Sequence, residues 1–209
     1  MQPDLLVKAL LAIEPKTTFQ KFQAASGIAS ESVSKNVISF LVSNGIGTVG
    51  KNMITFTGTD RLYTAMLALQ LGCDIELASR HLFWKDFEKL ASEVLASLGY
   101  RTRTNVRLTK PRMEIDVVGT SAGFAIAVDC KHWNQNNRSS VAAFSEKQAA
   151  RAERLLKHDA NISQVVPVIM TLRADAIRFV GGVPIVPVHK FKSFVIEVKG
   201  FLPEIYVAC

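Results

Sequence analysis

The segment EIDVVGTSAGFAIAVDCKHW, Glu114 to Trp133, carries four charged side chains into an otherwise apolar stretch: Glu114, Asp116, Asp129 and Lys131. An ionised carboxylate is costly to bury unless it is paired or binds a metal. In MEIDVV, Glu114 and Asp116 share one face of an extended strand, because side chains alternate with a period of two. In FAIAVDCKHW, Asp129 and Lys131 share a face and Cys130 takes the other. If the two runs pair around a turn at 120–123, Asp116 approaches Asp129 and Lys131. Close carboxylates repel unless compensated, and a divalent cation compensates them. Oxygen ligands suit Mg²⁺ or Mn²⁺ rather than zinc. A protonated lysine does not bind such a cation, but it orients or helps deprotonate a water and offsets charge on a phosphate. The set matches what metal-assisted phosphodiester hydrolysis requires. The competing reading is an internal Asp–Lys ion pair. With a helix glutamate nearby, that pairing leaves the acids under-compensated by about two charges.

The elements that must position these groups follow from periodicity. WKDFEKLASEVLASLGY, from Trp84, reads as a helix with an apolar stripe of Phe87, Leu90, Ala91, Val94, Leu95 and Leu98, ended by Gly99. Glu88 lies roughly 90° from the middle of that stripe, at its boundary, while Glu93 points to solvent. Glu88 therefore either reaches the edge of the sheet that the helix covers or is an ordinary rim carboxylate. Arg101, Arg103 and Arg107 alternate along an extended segment that leads to Lys110 and Arg112. They form either a phosphate track or a solvated strand face. Residues 141–157 read as a helix on which Lys147, Arg151, Arg154 and His158 make a basic stripe, diluted by Glu146 and Glu153. SQVVPVIMTL then reads as a buried strand, ADAIRFV as a short helix and VPIVPVHKF as a further strand. Alternating strands and helices give an α/β core with helices on both faces. His132 and His189 read as rim residues, and Trp133 as packing rather than a base-stacking platform.

The first seventy residues read differently. Helices are expected over 5–13 and 18–25, the second closed by Gly27, and a third follows Ser30 as N-cap, with Val33, Val37, Phe40 and Leu41 on one face. Asn44-Gly45 stops it. Residues 46–48 and 53–56 alternate like a hairpin, and a fourth helix runs from Thr59 through Leu71.

The net charge is +7 over 209 residues, but residues 1–79 hold six basic and six acidic side chains while residues 80–209 hold nineteen and twelve. The excess is therefore confined to the second part, where it suits either a polyanion such as DNA or a solubilising surface. Almost half the residues are apolar, enough to bury a core, yet no run reaches the roughly 18 residues of a membrane span. The N-terminus lacks the pattern of a signal peptide. Cys73, Cys130 and Cys209 are an odd number without a CxxC, which argues against a disulfide framework and a thiolate zinc site. The expected location is the cytoplasm.

Two resemblances add to this reading. SESVSKNVISFLVSNGIGTVGKNMITFTGTDRL resembles a winged helix-turn-helix domain. Such a fold implies a third helix presenting Ser32, Lys35, Asn36 and Ser39 to DNA; since this part is neutral, the other reading is a docking or dimerisation module. From about Trp84 to Val198, the order FEKLASEVLASLGY, EIDVVG, VDCKHW resembles the PD-(D/E)XK, restriction-endonuclease-like superfamily, most closely its Mrr-like branch and the archaeal Holliday-junction resolvases. By position, that resemblance implies Glu88, Asp116 and Asp129 as metal-binding and catalytic acids and Lys131 as the motif lysine. It implies Mg²⁺ or Mn²⁺ as cofactor, and it makes Gln148 a further candidate, because some related nucleases use a glutamine on that helix near the site. Glu114 departs from the pattern, since relatives often have glycine there. The expected organisation is a small, mostly-α winged-helix domain at 1–72, a linker at 73–82, and an α/β restriction-endonuclease-like core at 83–209, a mixed sheet flanked by helices. The expected activity is metal-dependent endonucleolytic cleavage of DNA by a homodimer, with Arg101, Arg103, Arg107, Lys110, Arg112, Lys147, Arg151 and Lys35 on nucleic acid. A protein partner at the winged helix is also open. The alternative is a DNA-binding or assembly factor that no longer cuts.

Overall fold

The structure, a computed structural model, describes the chain apart from residues 75–76, 79, 110–111, 132–137 and 173–175, and gives Trp84 and residues 138–140 as backbone alone. Lys110, His132 and Trp133 lie outside the described residues. The chain divides into two compact units, Met1–Asp86 and Phe87–Cys209.

The first unit runs α1 (Pro3–Leu10), β1 (Lys16–Thr17), α2 (Phe19–Ser26), α3 (Glu31–Ser43), β2 (Thr48–Val49), β3 (Ile54–Thr55) and α4 (Asp60–Gln70). Capping chemistry sets the helix starts. Thr18 accepts from the Lys21 amide at 3.3 Å and Ser30 from the Val33 amide at 3.4 Å. Gly27, at φ 63, closes α2 in the left-handed conformation that glycine adopts without strain. Strand β3 lies between β1 and β2, antiparallel to both. The hairpin strands are shorter than the alternating runs, and β1 has too few residues to show any alternation. Leu6, Phe22, Val37, Leu41 and Leu62 are fully buried and form the core.

The second unit is built on a six-stranded sheet in the order β4-β5-β6-β7-β9-β8. Its strands are β4 (Arg101–Leu108), β5 (Met113–Ser121), β6 (Phe124–Lys131), β7 (Gln164–Thr171), β8 (Arg178–Val180) and β9 (Val183–Pro187). Strands β4, β5 and β6 form an antiparallel meander, whereas β6–β7 and β7–β9 are parallel. Helix α5 (Trp84–Ser97) precedes the sheet, α6 (Arg138–His158) makes the crossover from β6 to β7, and α7 (Phe191–Phe201) follows β9. A Cβ built on Gly119 would stand 3.0 Å from Leu95 Cδ1, so α5 covers the face to which Gly119 belongs. The neighbouring Val118 packs with Ala152 and Leu155 of α6. Successive strand residues face opposite ways, so the two helices cover opposite faces of a mixed sheet.

The β5–β6 turn falls where the sequence places it. Ala122 and Gly123, at φ 48 and 80, join Ser121 to Phe124 as a two-residue hairpin loop. ADAIRFV does not end as a helix: Arg178–Val180 is an edge strand antiparallel to β9. The reason is the Gly181-Gly182 pair, at φ 56 and 75, which makes the turn of a hairpin with Val180 opposite Val183. At Gly182 the constraint is double, because a Cβ there would also stand 2.9 Å from the Tyr206 backbone nitrogen. Gly182→Ala is expected to lower unfolding free energy by about 2 kcal/mol, measured by urea denaturation. An unchanged midpoint contradicts this account of the turn.

Candidate active site

The β5–β6 ladder stops at Val117 opposite Val128. Beyond that pair, Asp129, Cys130 and Lys131 keep β7 as their partner, opposite Ile169, Met170 and Thr171. The Cys130 amide, which the β5 backbone no longer meets, instead donates to Asp116 Oδ2 at 2.7 Å. A side-chain carboxylate thus takes the place of a ladder carbonyl, and this holds Asp116 beside the end of β6. Burial pushes the Asp116 carboxyl above its usual range. The Cys130 hydrogen bond pulls it back, Asp129 raises it, and Lys131 and Arg151 lower it, with the balance upward. Asp116, Asp129, Lys131 and Arg151 are therefore electrostatic neighbours.

Asp129 is 2% exposed. Its carboxylate meets two cations: Arg151 Nη1 donates to Oδ1 at 2.7 Å, and Lys131 Nζ lies 3.1 Å from Oδ1 and 2.9 Å from Oδ2. Lys131 Nζ also stands 5.4 Å from the centre of the Phe144 ring, a cation–π contact that Lys147 shares from 6.0 Å. Gln148 is fully buried. It donates to the carbonyls of Ala127 at 2.8 Å and Val168 at 3.3 Å, and accepts from Arg151 Nη1 at 3.1 Å. It therefore ties α6 to β6 and β7 and holds Arg151 against Asp129.

Glu88 is buried on α5, not on the rim. Together with Asp116 and Asp129 it acts on the Cys130 thiol, which burial first and these acids next push well above its ordinary value. Among the described residues no group of three or more His, Cys, Asp or Glu side chains is arranged to hold a metal ion. The charge balance expected from the sequence is corrected here. Arg151 is a second cation on Asp129, so the acids fall short by about one charge rather than two.

The basic residues separate into several environments. Arg101, Arg112 and Lys147 are exposed. Arg103 pairs with Asp159 at 2.8 Å and Arg107 with Glu114 at 3.5 Å. Asn105, at φ 52, leaves the extended conformation between those two arginines, yet the register with β5 is the same on both sides of it. Lys35 is exposed, paired with Glu31 at 2.6 Å and 5.5 Å from the Phe19 ring centre. The stripe on α6 is not an outward track. Arg151 turns to Asp129, and Arg154 donates to the Thr109 carbonyl at 2.8 Å. The signal that could have shown this is Gln148, Ala152 and Leu155, which recur at i, i+4 and i+7, all buried against the sheet, with Arg151 flanking them.

Residues 79–166 match the family Mrr_cat, described as Restriction endonuclease. This part of the chain is a restriction-endonuclease-like domain. The chain is also 26% identical, over 125 residues, to an uncharacterized protein of Archaeoglobus fulgidus, a match that covers 58% of this chain and 95% of the relative. Among solved structures it is similar to AF1548, a protein of unknown function, at 25% identity over 41% of this chain and 46% of that one, with TM-score 0.30. It is also similar to protein VC1899 from Vibrio cholerae, at 12% identity over 97% and 52%, with TM-score 0.41. The chain spans about half the length of each of these two structures. In the restriction-endonuclease-like domain, the Mrr_cat match includes Glu88, Asp116, Asp129, Lys131, Gln148 and Arg151. Among the described residues no helix is long and apolar enough to cross a membrane.

Proposed function

We propose that the restriction-endonuclease-like domain is a metal-dependent endodeoxyribonuclease acting through Asp116, Asp129 and Lys131, with Glu88 as a third acid. The observation that carries the reading is the Asp116 carboxylate, drawn out of the strand ladder onto the Cys130 amide and set beside Asp129 and Lys131. Mg²⁺ takes one or two carboxylates and completes its shell with water and substrate phosphate. Asp116 and Asp129 fit that demand: they are close enough to repel, and Cys130 occupies only one oxygen of Asp116. When bound there, the cation lowers the pKa of a coordinated water and offsets charge on the phosphate. Lys131, braced by Asp129 and the Phe144 ring, points its ammonium at the same place to position water and donate to a phosphate oxygen. Exposed Arg101, Arg112 and Lys147 hold the flanking backbone, through contacts that weaken with salt. Arg103 and Arg107 join them by exchanging surface ion pairs worth at most about 1 kcal/mol.

The first unit is proposed as a winged helix-turn-helix module. The exposed Ser32, Lys35, Asn36 and Ser39 of α3 are its surface for DNA or, given the module's neutrality, lie beside a docking face. A homodimer supplies two sites for two strands. The second reading, a domain that binds DNA without cutting, draws on the two cations already paired with Asp129.

A panel of duplex, flap and junction DNA separates these readings. The expected result is cleavage in Mg²⁺ or Mn²⁺, lost with chelator and reduced about a hundredfold or more by Asp116→Asn. Binding without cleavage under either metal supports the non-cutting reading instead.

A further inference from the structure

We propose that Arg151 is the site's built-in counter-ion: its guanidinium holds the Asp129 carboxylate while no divalent cation is bound and gives it up when one arrives. This rests on the nuclease reading above. Asp129 Oδ1 receives Arg151 at 2.7 Å and Lys131 at 3.1 Å, so a divalent cation reaching that oxygen meets two positive charges already in place. The two differ in what they can do next. Lys131 also contacts Oδ2 at 2.9 Å and keeps its partner if Oδ1 is released. Among the described residues Arg151 hydrogen-bonds to no second acid. Its other anchor is Gln148 Oε1 at 3.1 Å. Gln148 is fixed, because its amide nitrogen is spent on the carbonyls of Ala127 and Val168. Arg151 is therefore a tethered charge, buried enough to neutralise Asp129 and, with 23% of its side chain exposed, able to turn toward solvent. It acts on the cation through Asp129 and is a positioning residue, not a catalytic one.

The test is the affinity for Mn²⁺, read from the electron paramagnetic resonance of the free ion, without DNA and independent of turnover. Arg151→Met keeps the stem and removes the charge. It is expected to bind Mn²⁺ about tenfold more tightly than the wild type, the equivalent of one charge-assisted hydrogen bond. Arg151→Lys, which retains the charge, should restore an affinity near that of the wild type. A purely structural role predicts equal or weaker binding in Arg151→Met, and that result overturns the proposal. Arg151→Gln keeps a donor without charge and gives the same comparison if the methionine variant does not fold. If the wild type binds Mn²⁺, Asp129→Asn abolishes that binding and Arg151→Met is no tighter, only the counter-ion proposal falls. If neither the wild type nor the variants bind Mn²⁺, the metal-dependent reading falls with it.

Discussion

Lys131→Met is expected to leave DNA bound while slowing single-turnover cleavage about a thousandfold. The substitution keeps an unbranched stem and removes the ammonium that stands 5.4 Å from the Phe144 ring centre and reaches both oxygens of Asp129. Asp129 retains Arg151 at 2.7 Å, so its buried charge is not abandoned and the domain keeps its fold. Binding rests on several backbone contacts made by other basic groups, and removing one changes affinity little. The chemical step is more sensitive. Negative charge builds on the phosphate as the bond to water forms, and a preorganised donor in a partly dry site acts on that charge far more than it would in water. The split between unchanged DNA affinity and a collapsed rate at saturating protein is therefore the signature. Cleavage close to the wild-type rate removes Lys131 from the chemistry and leaves it as a structural partner of Asp129.

Why the sequence leads to Lys131 but not to Arg151 has a physical basis. Asp129 and Lys131 are two apart on a strand, and a period of two places them on one face without any knowledge of the rest of the chain. The β5–β6 hairpin is equally local, with alternating runs meeting at Ala122-Gly123. The apolar stripe of α5 needs only 3.6-residue periodicity, and Phe87, Leu90, Ala91 and Leu95 are indeed buried. The α/β core with helices on both faces follows from the alternation of such elements. Arg151 lies 22 residues from Asp129, across a crossover helix. Helical periodicity gives the face a residue occupies but not what faces it, so a basic stripe on α6 resembles a phosphate track until the sheet is in place. The same limit hid the interruption of the Asp116 ladder, since the bond from the Cys130 amide exists only after β5 and β6 part. The missed strands are short: β8 has three residues and β1 two, below the length at which a period of two can be recognised. The strongest local sign of β8 was its turn, the Gly181-Gly182 pair, rather than its own residues.

Asp129→Ala is expected to lower unfolding free energy by about 3 kcal/mol, measured by urea denaturation in the presence of chelator. Breaking a buried ion pair from one side costs roughly 3–5 kcal/mol, because the partner is left charged and uncompensated. Here the acid is 2% exposed, while the side chains of Lys131 and Arg151 are 25% and 23% exposed. Both cations are partly hydrated, which places the loss at the lower end of that range. What remains after substitution is worse than a missing contact. Two positive charges face each other across the space of one carboxylate, and Gln148 prevents Arg151 from withdrawing completely. The cost should therefore come mainly from the abandoned cations rather than from the lost attraction, and a second substitution separates these contributions. In Asp129→Ala/Arg151→Met the uncompensated guanidinium is gone and an apolar stem takes its place, so the double variant should recover about 1–2 kcal/mol relative to Asp129→Ala alone. Strict additivity of the two losses contradicts this account, because independent effects require the second substitution to destabilise further. Addition of Mn²⁺ completes the comparison. Linkage requires a ligand bound by the folded state alone to raise its stability, so the wild type should gain stability with Mn²⁺ while both variants lacking Asp129 do not. A gain that persists without Asp129 places the cation elsewhere in the domain.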